Sequence, residues 1–408
     1  MNVLCFADRD FGSGRYSLDH PILADVLGSQ FPARGHAVTF WVHADTRSPG
    51  GGRQPWLASH VRLLPSCGPM PGRRLFNMLR RAWAVRRGLG TVIDADRIDV
   101  VLVRNDWVAA LAGAGLLRRR RIPLVFQWSF PHPLARAANA EDRPTVARAL
   151  QRLCAGAEGA LYRRVMRAAD HVIAISEWMR EMLIADGLSP SKITPLPLGF
   201  DPPQMSPDLR ELTRAALGVA GQPVVLYFGE MSRVRRMEFL LDVMARVLQQ
   251  EPAAILVMLG AGDVLGDVEF LQQYAVDLGI AAQVRFIDRV PRSEVPAYIA
   301  AADVGVSPIR PIPAFVISSP TKFIEMLGMG CPVVANDIPE QKDILAKTGA
   351  GLSVPYDVGA FAEAIVSLLR DRAAAAEMGR RGRAFVREER SLSRLTDTLE
   401  AVCAGASA

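Results

Sequence analysis

Short apolar runs recur along the chain, each followed by a longer amphipathic stretch. In the first half, "NVLCFAD", "HAVTFWVH", "DVVLVRND", "PLVFQWSF" and "HVIAIS" are continuous apolar runs of strand length. Between them lie stretches with helical 3–4 spacing. One runs from Ser17 to Arg34 and is closed by Gly35 in the manner of a C-cap. Another is "EWMREMLIADG". Continuous apolar runs, unlike alternating ones, belong to strands covered on both faces. The pattern therefore predicts a parallel sheet with helices on each side.

A second series of the same kind starts near Gly221, with strands "PVVLYFGE", "AAILVMLGAG", "VRFIDRV", "VGVSPI" and "PVVAND". "MEFLLDVMARVLQQ" and "SEVPAYIAAA" read as helices between them, and the Ala- and Arg-rich tail from Arg372 onward also reads as helical. The proline-rich, aperiodic stretch Pro195 to Asp208 reads as the linker. The fold class expected is α/β, with two consecutive doubly wound, Rossmann-like parallel-sheet domains. Such domains place a ligand cleft at the carboxyl ends of their strands.

Composition narrows the class. The 408 residues are 50% hydrophobic and 22% charged, enough apolar content for two cores. No apolar run approaches the ~18 residues of a membrane span; "VAALAGAGLL" stops short. "MNVLCFADRD" reads as a first strand, not a signal peptide. Cys5, Cys67, Cys154, Cys331 and Cys403 show no CxxC spacing, which argues against a zinc site or disulfide framework and for a reducing compartment. The formal charge is +6, mostly from arginine.

Candidate chemistry concentrates in "ISSPTKFIEMLGMGCPVVANDIPEQ", Ile317 to Gln341. Ser319 suits an N-cap and Pro320 the first helical position, where its missing N–H costs nothing. A helix start favours phosphate, and Lys322 adds a full charge in its first turn. Glu325 follows one turn down the same face, among the apolar neighbours Phe323, Ile324, Met326 and Leu327. A carboxylate there suits the hydroxyls of a ribose; the alternative is a surface ion pair with Lys322.

These residues carry a family resemblance. "SSPTKFIEMLGMGCPVVAND", after "VRFIDRVPRSEVPAYIAAADVGVSP", is similar to the C-terminal domain of the retaining family-4 glycosyltransferases of GT-B fold. "VVLYFGEMSRVRRMEFLLDVMARV" resembles the strand, phosphate loop and helix that open that domain. "DHVIAISEWMREMLIADGLSPSKITPLPLGFDP" resembles the end of the N-terminal domain and the linker.

The resemblance implies an acceptor domain over residues 1–200 and a nucleotide-sugar domain over 201–385. It also implies a helix over 386–408 that crosses back to the first domain. Glu325 would hold the ribose. Arg235, with Arg236 and Arg233 beside it, would face the diphosphate, together with Ser319, Pro320, Thr321 and Lys322. Arg289 and Val290 would offer backbone to the base. Gly12, Ser13 and Gly14 would let the first loop approach sugar and diphosphate. Three positions depart from the family: Ile317 replaces its first motif glutamate, Glu230 a phosphate-loop arginine, and Ser129 a histidine. They leave the acid/base role to candidates near strand ends: Asp106, Asn105, Ser129, His132 and Asp10.

The function expected is transfer of a hexose from a nucleotide-diphosphate sugar to an acceptor hydroxyl, with retention and without metal or cofactor. The alternatives are a nucleotide-sugar epimerase or hydrolase of the same fold, or a non-catalytic sugar-nucleotide binder. "DAD" at Asp94–Asp96 has the form of a metal motif but precedes its strand, the wrong end for a cleft. "PGRRLFNMLRRAWAVRRG" carries six arginines and no acid. At about 100° per residue, Arg73, Arg74, Arg80, Arg81 and Arg87 share one face, opposite Leu75, Phe76, Met78, Leu79, Trp83 and Val85. Such a helix suits an anionic membrane surface and a lipid-linked or saccharide acceptor; the alternative is an ordinary surface helix with its apolar face on the sheet. The expected location is cytoplasmic, peripheral on the inner face of the membrane. Nucleic acid is not an expected partner, since the aromatics lie off the arginine face.

Overall fold

The computed structural model describes residues 1–11, 18–44, 53–64, 74–140, 144–262 and 264–407. The chain divides into two compact units, Met1–Leu198 with Leu392–Ala408, and Gly199–Ser391.

The first unit holds eight strands among the described residues: β1 Asn2–Phe11, β2 Ala37–Ala44, β3 Arg53–Trp56, β4 Ser59–Leu64, β5 Val100–Arg104, β6 Leu124–Trp128, β7 His171–Ala174 and β8 Ile193–Pro195. Their order in the sheet is β3-β4-β2-β1-β5-β6-β7-β8. Every pairing is parallel except β3 with β4, a hairpin at the sheet edge. The apolar-run pattern does not reveal that hairpin, because its strands are short and carry Arg53, Gln54, His60 and Arg62. The central strands β5 and β6 are buried along their whole length, as continuous apolar runs require.

The last helix, Leu392–Ser407, belongs to this first unit. Leu395, Leu399 and Cys403 are buried. Thr396 donates to the Gln30 side chain at 2.6 Å, while Glu400 accepts from Arg34 at 2.8 Å and lies 2.8 Å from His36 Nε2. The stretch before it is the helix Arg372–Glu389, which stays with the second unit.

The second unit is a six-stranded parallel sheet: β9 Val224–Phe228, β10 Ile255–Leu259, β11 Val284–Ile287, β12 Val304–Ser307, β13 Val333–Asn336 and β14 Gly351–Val354. Its order is β11-β10-β9-β12-β13-β14. Helices Glu238–Leu248 and Val358–Arg370 bury Leu241, Val247, Phe361 and Ile365 on one face. Helices Val295–Ala301 and Thr321–Met329 bury Ile299, Phe323, Ile324 and Leu327 on the other. The winding reverses between β9 and β12, so the loops after these two strands diverge and leave a crevice at their carboxyl ends. At the boundary of the unit, the Phe200 N–H donates to the Arg390 carbonyl at 2.9 Å.

Candidate functional site

The loop after β9 turns back over the sheet through Gly229, at φ +130°. Gly260, after β10, sits at φ +144° directly beneath it. A Cβ on Gly260 would lie 1.9 Å from the Gly229 carbonyl oxygen, so only glycine lets these two backbones pass. The Gly229 N–H donates to the Leu259 carbonyl and Met231 N–H to Ala261, both at 2.9 Å. These bonds fix the start of a loop that carries Glu230, Ser232, Arg233, Arg235 and Arg236.

Lys322 enters the same place from the helix after β12. Its Nζ donates to the Tyr227 hydroxyl at 2.9 Å and stands 4.1 Å from the centre of the Tyr227 ring. A Cβ on Gly229 would come within 3.0 Å of Nζ. Tyr227 in turn donates to the Glu230 carbonyl at 2.7 Å. Loss of solvation, then the Arg235 guanidinium, hold the Lys322 ammonium down at about 7, against the pull of Glu230 and Glu325. Arg235 rests on the Phe315 ring at 4.2 Å and lies 3.7 Å from Glu230. Arg236 adopts a left-handed backbone, φ +54°, and reaches Glu238 at 3.4 Å. Arg233 stacks on Phe270 at 3.7 Å and lies 3.7 Å from Asp267. Two cations, Lys322 and Arg235, thus converge beside the start of a helix. This arrangement stabilises an anion with more than one negative oxygen.

The helix spans Thr321–Met329, and its cap is built differently from the sequence expectation. Pro320 occupies the cap position with extended backbone, and its carbonyl receives the Phe323 and Ile324 N–H groups. The Ser319 hydroxyl does not cap the helix. It donates to Glu340 Oε1 at 2.6 Å because the buried Glu340 carboxylate needs partners. Arg390 supplies the other, at 3.2 Å. Burial nevertheless pushes the Glu340 carboxyl above its usual range. Glu325 is 8% exposed and lies on the same helix as Lys322, one turn further in. Arg289, exposed, and Val290, half-buried against the core, follow β11 at the same edge, where Gly260 N–H bonds the Ile287 carbonyl. In the second unit Arg235 and Arg236 thus follow β9, Arg289 and Val290 follow β11, and Ser319, Pro320, Thr321, Lys322 and Glu325 follow β12, all after the carboxyl ends of parallel strands. Tyr227, Gly229, Gly260 and Glu340 were missed. The signals for them were a hydroxyl within an apolar strand, glycines closing two successive strands, and the Pro-Glu pair of "DIPEQ".

In the first unit, Gly12, Ser13 and Gly14 lie outside the described residues, as does the side chain of Asp10. Asp106 is buried, caps the helix Trp107–Arg120 by accepting from Ala109 N–H at 2.9 Å, and pairs with Arg81 at 2.9 Å. Both roles are structural. Asn105, at φ +57°, holds Ser129 at both ends: its amide donates to the hydroxyl and its carbonyl accepts from the backbone N–H, each at 2.8 Å. His132 opens the helix His132–Asn139 against Phe130. In "DAD", Asp96 is bound by Arg62 and Thr39, and Asp94 by Arg120.

The basic segment forms the helix Arg74–Asp96, longer than expected. Arg73 and the Arg74 side chain lie outside the described residues. The expected separation of faces is corrected. Arg81 turns inward because Asp106 needs a cation, and Val85 is buried. Phe76, Leu79 and Trp83 are more than half exposed and share the outer face with Arg80, Arg86 and Arg87. Arg80 and Arg87 lie over the Phe76 and Trp83 rings at 5.8 and 4.4 Å.

Two doubly wound domains with these loops define the GT-B fold of glycosyltransferases. The whole chain superposes on sucrose-phosphate synthase from Thermosynechococcus elongatus, with TM-score 0.76, 20% identity and 98% of each chain covered. Anabaena HepE in complex with UDP-glucose gives TM-score 0.71 at 19% identity, covering 99% of this chain and 100% of that one. In sequence, the family model described as glycosyl transferases group 1 matches residues 222–371, and that of glycosyltransferase family 4 matches residues 23–204. The chain belongs to this family of glycosyltransferases. It is 31% identical over 227 residues to a GDP-mannose-dependent alpha-(1-6)-phosphatidylinositol monomannoside mannosyltransferase of Mycolicibacterium smegmatis, covering 54% of this chain and 58% of that protein. It is 27% identical over 287 residues to a D-inositol 3-phosphate glycosyltransferase of Nocardia farcinica, covering 67% and 60%. The match thus spans less than two thirds of the length of these relatives.

Proposed function

We propose that the protein transfers a hexose from a nucleotide-diphosphate sugar to an acceptor hydroxyl, with retention at the anomeric carbon, in glycolipid or surface-polysaccharide synthesis. The observation that carries this is the convergence of Lys322 and Arg235 at the start of helix Thr321–Met329, beneath a loop that Gly229 and Gly260 hold close to the sheet. Glu325 takes the ribose hydroxyls, and the backbone near Arg289 and Val290 faces the base. As the glycosidic bond to the diphosphate breaks, charge grows on the leaving oxygens, and the two cations stabilise it without a metal ion. Asp106 is committed to capping and Arg81, and among the other acceptor-side candidates Ser129 and His132 follow the carboxyl end of β6.

A lipid-linked acceptor is favoured by the exposed Phe76, Leu79 and Trp83 amid Arg80, Arg86 and Arg87, a surface suited to peripheral attachment at an anionic membrane. No described helix is long and apolar enough to cross a bilayer. The M. smegmatis relative is named for a phosphatidylinositol-based acceptor, which points the same way. The test is incubation with UDP-, GDP- and ADP-hexoses and either phosphatidylinositol-type lipids or free saccharides, with products read by mass spectrometry and anomeric proton NMR. A hexosylated lipid with the donor's anomeric configuration is expected. Donor consumption with no acceptor-dependent product would establish the epimerase or hydrolase alternative instead.

A further inference from the structure

We propose that Glu340 is a positioning residue of the donor site: its carboxylate fixes Ser319, and through it the start of helix Thr321–Met329 that presents Lys322 to the diphosphate. The inference rests on the donor-site reading above and adds a residue that acts on that site through another.

Residues 308–320 join β12 to this helix. They bring Phe315 under the Arg235 guanidinium and lead into the turn that carries Lys322. Apart from the short helix Pro313–Val316 they follow no regular ladder of hydrogen bonds, so their shape must be fixed from outside. The first turn of helix Pro339–Thr348 does this at both ends. Gln341, wholly buried, accepts from the Ser307 hydroxyl and donates to the Ser307 and Asn336 carbonyls at 3.3 and 3.1 Å. The Asn336 side chain in turn holds both the N–H and the carbonyl of Ile309, at 2.7 and 2.9 Å. Glu340, the residue before Gln341, takes the Ser319 hydroxyl at 2.6 Å. Neighbours on a helix point about 100° apart, so one turn reaches both ends of the stretch.

The grip continues through Arg390. Its guanidinium donates to the same carboxylate oxygen, Oε1, at 3.2 Å, and its carbonyl accepts from the Phe200 N–H at 2.9 Å. Phe200 packs on the far end of the donor helix, where a Cβ on Gly328 would come within 2.6 Å of its ring. Ser319, Glu340, Arg390 and Phe200 thus form one chain of contacts that closes on both ends of helix Thr321–Met329.

The burial of Glu340 points to geometry rather than stability. A carboxylate 6% exposed gives up its solvation, and an apolar side chain of similar volume often serves a buried place as well or better. What the carboxylate adds is direction: Ser319 must stand where it can donate.

The test titrates the full chain with the UDP-, GDP- or ADP-hexose that wild type binds, at a temperature where circular dichroism shows every variant folded. Glu340→Leu and Ser319→Ala should each weaken donor binding about fivefold or more. The two losses should not add in the double variant. Glu340→Gln keeps an acceptor at the Oε1 position and should bind within about twofold of wild type. A loosened helix start also admits water to the Lys322 ammonium, held at about 7 chiefly by loss of solvation, so less proton should be taken up with the donor at pH 8. A loss of stability alone moves neither quantity. Should Glu340→Leu fail to fold, Ser319→Ala decides through its proton uptake. If the folded variants bind donor and take up protons like wild type while Lys322→Met binds weakly, the positioning role is refuted and the donor site stands. Additive losses overturn it as well, since Ser319 would then touch the donor itself. If wild type binds no nucleotide sugar, both readings fall.

Discussion

Lys322 offers the sharpest quantitative handle on the donor site. Its ammonium is held at about 7 rather than 10.5 because it is poorly solvated and faces the Arg235 guanidinium. A bound diphosphate supplies the missing negative charge and returns the group towards its ordinary range. Binding must then take up a proton whenever free Lys322 is neutral. At pH 8 about 0.9 proton should be absorbed per donor bound, at pH 7 about 0.5, and at pH 6 about 0.1. Because only the charged form is poised to bind, Kd should rise about fivefold between pH 7 and pH 8. The stability sign is the reverse of an ion-paired lysine. Charge on Lys322 costs the folded state below pH 7, and that cost is relieved as pH rises from about 7 towards 10.5. The assay is calorimetry with intact nucleotide-diphosphate sugar, whose phosphates do not titrate here, in two buffers of different ionisation enthalpy. Lys322→Met should bind more weakly and take up no proton at any of these pH values. A wild-type titration without uptake at pH 8, or equal uptake by Lys322→Met, would refute the assignment.

Other outcomes follow from the same geometry. Glu325→Ala should weaken donor binding by roughly 1.5–3 kcal/mol while the fold survives, as calorimetry and thermal melts can check; unchanged affinity would remove Glu325 from the ribose. Arg235→Ala should lower turnover more than it weakens binding of the free nucleoside, and EDTA should leave turnover intact; activity lost to EDTA and restored by magnesium would contradict a metal-free mechanism. Glu340 has a raised pKa, so its contribution to stability is full below about 4.5 and is lost as pH rises through the raised value. Urea midpoints of Glu340→Gln against wild type should show a flatter slope over that window, and a slope of the opposite sign would count against burial as the dominant cause. Gly260→Ala should destabilise the second unit severely, because its Cβ would overlap the Gly229 carbonyl; a denaturant midpoint close to wild type would show that the two loops can part.

Much of the fold can be read from the sequence because buried parallel strands are continuous apolar runs, and both units are built from them. The β3–β4 hairpin escapes that rule because β4 alternates instead of running apolar: Ser59, Val61 and Leu63 are buried while His60 is exposed. At the site, Lys322 and Glu325 are legible as charges stranded on an apolar helix. The partner of Ser319 is not. Glu340 lies 21 residues on, and only folding brings β12 and β13 side by side. Arg81 shows the same limit from the other side. Helical angle alone groups it with Arg73, Arg74 and Arg80, whereas the need of buried Asp106 for a cation turns it inward. Periodicity assigns a residue to a face of its own helix, but the charges on neighbouring elements decide which face looks outward.

The central claim is that a nucleotide-diphosphate sugar is held by Lys322 and Arg235 at the start of helix Thr321–Met329. The most direct measurement is titration of the full chain with UDP-, GDP- and ADP-hexoses, beside Lys322→Met and Arg235→Ala. One base should bind selectively, and each substitution should weaken that binding at least about tenfold, the loss expected for a charge-assisted bond to phosphate. Binding of no nucleotide sugar, or binding that both substitutions leave unchanged, would contradict the account.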